Sequence, residues 1–495
     1  MANLPPLSNR AYKRSGAAPP HAYLPPPGPL YDPELYPDGT INLSIAENTL
    51  LSERLIEHLK RPITTLRTQH LRYRATLIKT TLPTVEDLLP EYINDHFNPK
   101  VRITRENSVT GPGIGACLAQ LVWALAGEGE GVLMSVPFYD DYVRDIVHPA
   151  GAILVRADVP AIINPLSADV LPYLEAKLLD SDRIGVKIKA LLIPNPHNPL
   201  PQVVQKEVIK GYALLAQKYN IHLIVDEVYA LSTYTSAYPP ALDVKFESVL
   251  TYDLPALGVD PARVHVLAGP TKDFGASGIK LGLIISPANP ELLNLVRPLF
   301  YATPISSVSD VLFARVLQDK PFVERFLADN RAALREAYEL VAEWLMWHGL
   351  EFTRANAAVY VVVDFAPFLA RIAPAGADPI EKLDRGVNAL IRERVFMKPT
   401  NLMADPIPTR FRLIFSQPRE ILLLALRRIE KAFDAPEAPL PSSSVKTKKI
   451  TVNNMANGVV NVAVNGTARG SVNGKIKDTV NGAVNGMLHR AVTGR

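Results

Sequence analysis

The chain has 495 residues, 47% of them hydrophobic and 21% charged, which describes a globular protein with ample core and, by length, two or three domains. Its formal net charge is only +4, too small for a protein built to coat nucleic acid, and a surplus of six basic residues from Pro436 onward leaves everything before it at −2. Cys117 is the only cysteine, which excludes an intrachain disulfide or a cysteine metal cluster and fits a reducing compartment.

In chain order, residues 1–38 carry ten prolines and read as an extended arm. The N-terminus lacks a basic head followed by an apolar run, and no stretch reaches the roughly 20 apolar residues that cross a bilayer, so a cytoplasmic protein without a membrane partner is expected. Short β-branched runs then alternate with helical patterns. The strand expectations are Gly131–Val136, Ala152–Val155, Lys189–Ile193, His222–Val225, Val264–Leu267 and Leu281–Ile285, with helices such as Ile114–Ala126 and Gln205–Lys218 between them. This rhythm predicts an α/β domain over 80–295 with a largely parallel sheet. A long amphipathic stretch, Phe322–Trp347, leads to apolar strands Val359–Phe365 and Arg410–Phe415 and helices Pro379–Arg394 and Arg419–Phe433. A smaller α+β domain built from 39–79 and 296–435 is expected there. From 436 to 495 Asn-Gly recurs at uneven intervals with little to bury, which favours a disordered tail over a hairpin array.

Three segments carry the chemistry. Lys272 follows a strand inside Thr271-Lys272-Asp273-Phe274-Gly275-Ala276-Ser277-Gly278, a loop rich in small residues. Alone, such a lysine is most often a solvated surface charge. Asp226 ends the apolar run Ile221–Val225, with Tyr229 three residues on, and ligands in open α/β sheets collect at the carboxyl ends of strands. Asn198 lies in Pro194-Asn195-Pro196-His197-Asn198-Pro199, where alternating prolines fix the backbone. A cap or a plain rigid turn is the alternative in both places.

Taken together these motifs resemble the fold-type I pyridoxal-phosphate enzymes of the class I/II aminotransferase family, and within it the 1-aminocyclopropane-1-carboxylate synthase branch. The resemblance runs from about Ile41 to Phe433. It implies the aspartate aminotransferase-like fold, with a mixed, mostly parallel sheet in the large domain, pyridoxal 5'-phosphate as cofactor, and a homodimer. Lys272 matches the lysine that forms the Schiff base and then acts on the substrate Cα proton. Asp226 matches the carboxylate beneath the pyridine nitrogen, and Asn198 with Tyr229 the pair on the phenolic oxygen. Tyr139, in Pro137-Phe138-Tyr139-Asp140, stands where the family stacks an aromatic on the ring. The Gly113 and Ile114 amides, Thr271 and Lys280 match phosphate positions, as does Tyr73, a tyrosine supplied by a neighbouring subunit. Arg412 matches the clamp on the substrate α-carboxylate, although alternation puts Arg410 on the same strand face. Glu47, in Ala46-Glu47-Asn48, resembles the branch's substrate-side glutamate; a plain exposed glutamate is the alternative.

The pattern departs from the family at the phosphate. Gly269 stands where a serine is usual, and Lys280 where an arginine is usual, which gives up the bidentate fork. The expected activity is amino-group transfer between small-molecule amino acids and oxo acids through a Cα carbanion. A lyase of the cyclopropane-synthase or carbon–sulfur type is the alternative, and a non-catalytic scaffold the second alternative. The Pro-rich arm and repetitive tail suggest specialised metabolism.

Overall fold

The computed structural model describes residues 25–63, 70, 83–236 and 244–439. Tyr73, most of the Pro-rich arm and the tail from Leu440 lie outside the described residues. The elements run β1 (Ile41–Asn42), α1 (Ser52–Ile63), α2 (Val85–Phe97), β2 (Ser108–Gly111), α3 (Ile114–Leu125), β3 (Gly131–Ser135), α4 (Asp141–Ala150), β4 (Ile153–Ala157), α5 (Leu171–Arg183), β5 (Ile188–Pro194), α6 (Lys206–Lys218), β6 (His222–Asp226), β7 (Val264–Ala268) and β8 (Gly282–Ile285). Then come α7 (Pro290–Val296), α8 (Ser307–Gln318), α9 (Lys320–Trp347), β9 (Tyr360–Asp364), α10 (Ala366–Ile372), α11 (Pro379–Arg392), β10 (Val395–Phe396), β11 (Lys398–Pro399), β12 (Arg410–Ile414) and α12 (Arg419–Ala432).

Seven strands form one sheet in the order β2-β8-β7-β6-β5-β3-β4. The pairs from β4 through β7 are parallel, whereas β8 runs antiparallel to both β7 and β2. Strands β3 and β7 are buried along their whole length, as a sheet covered by helices on both faces requires. Chain order reverses between β3 and β5, because β4 lies beyond β3 on one side and β6 beyond β5 on the other. In open α/β sheets a crevice opens at such a point, outside the strand carboxyl ends. A second sheet, β11-β12-β9, is antiparallel, and β1 pairs with β10.

Apolar side chains gather into two clusters. One surrounds the large sheet and reaches through Phe322, Val323, Phe326 and Leu327. The other begins on the same helix at Leu334 and takes in β9, β12 and the helices α10 to α12. Helix α9 therefore feeds both, and the first cluster includes α8 side chains such as Phe313 and Val316, from a stretch that the sequence assigns to the smaller domain. Between the two sets sits Asn330, buried, whose Nδ2 donates to the Asp273 carbonyl at 3.0 Å while its Oδ1 accepts from Asn48 at 2.7 Å. No helix among the described residues is long and apolar enough to cross a membrane.

Candidate active site

A cavity of about 680 Å³ lies over the carboxyl ends of β3, β5, β6 and β7. Its lining includes Gly113, Ile114, Tyr139, Asn198, Asp226, Tyr229, Thr271, Lys272, Lys280 and Arg412, so ten of the residues singled out in the sequence meet in one place. Glu47 is exposed and is not part of that lining, though its charge acts on Lys272.

Asp226 is the last residue of β6, where the strand delivers it buried into the cavity floor. The Tyr142 hydroxyl donates to its Oδ2 at 2.6 Å, and the Val228 amide donates to Oδ1 at 3.1 Å. Burial raises the carboxyl pKa, and the Tyr142 bond is the larger of these two bonds opposing it. Tyr142 carries no signal in a strand-end search. It lies one helical turn after Tyr139 on the start of α4, and that i, i+3 spacing is the pattern that could have found it.

Lys272 follows β7 through Gly269-Pro270-Thr271. Its Nζ donates to the Ala46 carbonyl at 2.8 Å, and burial, helped by the Arg412 charge, pushes its pKa down to about 8. An amine so placed reaches its neutral, nucleophilic form far more readily than a surface lysine. The Ala46-Glu47-Asn48 segment lies directly against this loop. A Cβ on Gly275, where φ is +62°, would come within 2.2 Å of the Asn48 carbonyl oxygen, so only glycine fits there.

Arg412 is 2% exposed. Its Nη1 donates to Asn198 Oδ1 at 2.9 Å and its Nη2 to the Ser44 carbonyl at 2.8 Å, while the guanidinium lies 5.2 Å from the Tyr360 ring. Its Nε has no hydrogen-bond partner, an unspent buried donor that an incoming carboxylate would satisfy. Arg410 is set apart. It pairs with Asp405 at 3.6 Å and lines a different cavity, so the structure separates the two arginines that spacing could not. Tyr229 meets Tyr360 edge-on at 5.7 Å, and the Tyr139 hydroxyl donates to Asp141 Oδ2 at 2.6 Å.

At the other end, α3 starts at Ile114 behind Gly113, whose φ is +95°. The Gly113 amide, matched in the sequence to a phosphate position, donates here to the Gly111 carbonyl at 2.9 Å. The first-turn amides from Ile114 onward have no acceptor within the helix, and they are the groups left to meet an anion. Lys280 packs beside Gly113, since a Cβ there would lie 3.6 Å from Lys280 Cδ. Gly269 is enforced by packing: its Cβ would stand 2.9 Å from the Leu281 carbonyl oxygen and 3.1 Å from Gly282 Cα. Asp145 lies close to the first turn of α3 and is pushed up to about 6, chiefly by burial and then by Asp141.

This donor set fits pyridoxal phosphate: an amine at the wall, a buried carboxylate at the floor, and a helix start with a cation at the far end. Residues 38–429 match the family model described as aminotransferase class I and II. The "Probable aminotransferase gliI" of Aspergillus fumigatus is 30% identical over 79% of this chain and 88% of its own. The human "1-aminocyclopropane-1-carboxylate synthase-like protein 1" is 27% identical over 84% of this chain and 81% of its own. Among solved structures, N-succinyldiaminopimelate aminotransferase from Mycobacterium tuberculosis superposes with a TM-score of 0.62 at 21% identity, covering 79% of this chain and 93% of its own, a likeness of fold. On this match and geometry the chain belongs to the class I and II aminotransferases and is a pyridoxal 5'-phosphate enzyme.

Proposed function

We propose that the cavity moves the amino group of an amino acid to an oxo acid, in the cytoplasm and as a homodimer, with the residue roles that follow. When bound, pyridoxal phosphate supplies an electron-poor ring that accepts charge from a substrate carbon. Asp226 would face the ring nitrogen and favour its protonated form, and the Tyr142 bond, which opposes the rise in pKa caused by burial, would keep that carboxylate aimed and favour its ionised form. Asn198 and Tyr229 would bond the phenolic oxygen, and Tyr139 would cover one face of the ring. The first-turn amides from Ile114, with Thr271 and Lys280, would hold the phosphate, and Tyr73 of a second subunit would join them.

Arg412 takes the substrate α-carboxylate through parallel hydrogen bonds and so points Cα at Lys272. Lys272, as the neutral amine, would take the Cα proton at its Nζ and, as the ammonium so formed, would hold it for return. The observation that carries the reading is Lys272 itself: an amine with pKa about 8, in one cavity with Asp226 and Arg412. Borohydride reduction of the cofactor-loaded protein followed by peptide mapping tests it. The pyridoxyl mass is expected on the Lys272 peptide, and its appearance elsewhere, or nowhere, defeats the assignment.

Lyase chemistry is the second reading, favoured by the contact between Lys272 and the Ala46-Glu47-Asn48 segment that marks the cyclopropane-synthase branch. Release of ammonia and an oxo acid from an amino acid, with no oxo-acid acceptor present, would select it over transfer. The similarity to relatives named as probable aminotransferases supports transfer, and the proposed setting is specialised metabolism.

A further inference from the structure

Beside Arg412 stands a second cation, Lys398. In the antiparallel register of β11 and β12, Lys398 lies opposite Arg412. Opposed residues of such a pair carry their side chains on one face, with α-carbons about 4.5–5.5 Å apart. Both line the active-site cavity. An amino acid gripped by its α-carboxylate at Arg412 therefore sends its side chain out from Cα within reach of Lys398.

A bare lysine there would select side chains that end in a carboxylate. This lysine is not bare. Its Nζ meets Asp140 Oδ2 at 2.5 Å, with the two side chains only 14% and 10% exposed. Asp140 precedes α4, directly after Tyr139, and its other oxygen is buried without a hydrogen-bond partner, so the carboxylate is committed to Lys398. At that separation the two charges present a dipole. A distal carboxylate arriving beside it would be repelled by Asp140 about as strongly as it is drawn by Lys398, and the water it sheds would go unrepaid. Of the other charges lining the cavity, Arg144 is paired with Asp141, Asp145 is a further carboxylate, and in the proposed function Arg412, Lys280 and Lys272 are taken up by the α-carboxylate, the phosphate and the reacting carbon. A neutral side chain pays none of that desolvation.

We propose that the Lys398–Asp140 pair sets the substrate class of this site, admitting amino acids with uncharged side chains and refusing dicarboxylic ones. The proposal rests on the transfer reading and on Arg412 as the α-carboxylate clamp. Asp140 acts as a specificity-determining residue by holding the charge of Lys398 away from the substrate.

The test is the ratio of kcat/KM for aspartate and glutamate to that for norvaline and methionine. The wild type is expected to favour the neutral pair by tenfold or more; comparable turnover of both classes overturns the proposal without any variant. Asp140→Asn is expected to raise the acidic-to-neutral ratio at least tenfold, and Asp140→Ala to raise it in the same direction. Adding Lys398→Met to Asp140→Asn should cancel the gain. A strut that only ties β11 to α4 would lower all four substrates together with the ratio fixed, and that result, or a gain that survives Lys398→Met, overturns the proposal. Cofactor absorbance is followed in parallel. If no amino acid perturbs it in the wild type, the transfer reading has failed; if neutral amino acids do and the ratio stays fixed, only the specificity assignment has.

Discussion

At the floor of the cavity, Asp226 is bonded by Tyr142 and Val228, and Arg412 by its contacts to Asn198 and Ser44. At the opposite end, where the proposed function puts the phosphate, Lys280 acts on Asp145 and Lys272 through its field, and the Gly113 amide is turned back on Gly111. The floor is held by buried, charge-assisted bonds, which are worth more in a low-dielectric interior and fix side chains to one geometry. The far end relies on a helix start, the Thr271 hydroxyl and one exposed lysine. In the proposed function, the groups assigned to the ring nitrogen and the substrate carboxylate are the ones the fold holds by direct bonds, and Lys280, assigned to the phosphate, is held least.

The largest effect is expected at Lys272. Lys272→Ala should lower turnover by roughly 10²–10⁴-fold, the range for loss of a positioned acid–base group, measured at saturating pyridoxal phosphate. The lysine's pKa of about 8 adds a pH signature. In cofactor-free protein its reactivity toward an amine reagent should rise about tenfold per pH unit up to about 8 and then level off, because only the neutral amine reacts. The ammonium is disfavoured in the folded state relative to the ordinary lysine value of 10.5, so the folded protein binds fewer protons between the two values. Stability from this group should therefore rise with pH through that window. A reactivity profile centred near 10.5 would show that burial does not act on this lysine.

Next in size, Arg412→Lys keeps the charge and removes the fork. Roughly one charge-assisted hydrogen bond, worth about 1.5–3 kcal/mol, is lost, so KM for the amino acid should rise about ten- to a hundredfold. A KM that stays put while kcat falls would mean that Arg412 orients Asn198 and leaves the substrate to another group. Tyr142→Phe sharpens the account of the floor. Removing one bond to a buried carboxylate should raise the Asp226 pKa further and cut kcat/KM by about tenfold, with the largest deficit at low pH, where the unsupported carboxylate takes up a proton first.

Much of this was legible in the sequence, for reasons that differ along the chain. The β-branched runs placed six strands of the large sheet to within a few residues, the inner ones because a strand buried on both faces must be apolar throughout, and the edge strand β4 by its shorter apolar run. Asp226 could be placed because a charged residue closing such a run has to sit at the strand's end. Strands β10 and β11 are two residues each, too short for any period to show, and Lys398 was missed with them. Tyr142 was missed because its partner is 84 residues away and only the tertiary fold brings the start of α4 to the end of β6. Arg410 and Arg412 share a period, and it took the tertiary structure to put one against Asp405 and the other against Asn198.

The smallest expected effect belongs to the loosely held end, and it separates two departures from the family that the sequence could only count together. Gly269→Ser would restore a hydroxyl, yet its Cβ would lie 2.9 Å from the Leu281 carbonyl oxygen, and that neighbour is backbone. The variant should lose about 1–3 kcal/mol of stability from overpacking and bind cofactor no better, read as a lower Tm with faster loss of pyridoxal phosphate on dialysis. Lys280 has no such constraint, since its side chain runs past Gly113 into the cavity. Lys280→Arg restores a planar donor without displacing backbone, and about 1.4 kcal/mol from one better bond slows cofactor loss roughly tenfold. Equal rates of loss in Lys280→Arg and wild type would place the phosphate beyond the reach of this side chain and leave its hold to the helix start alone.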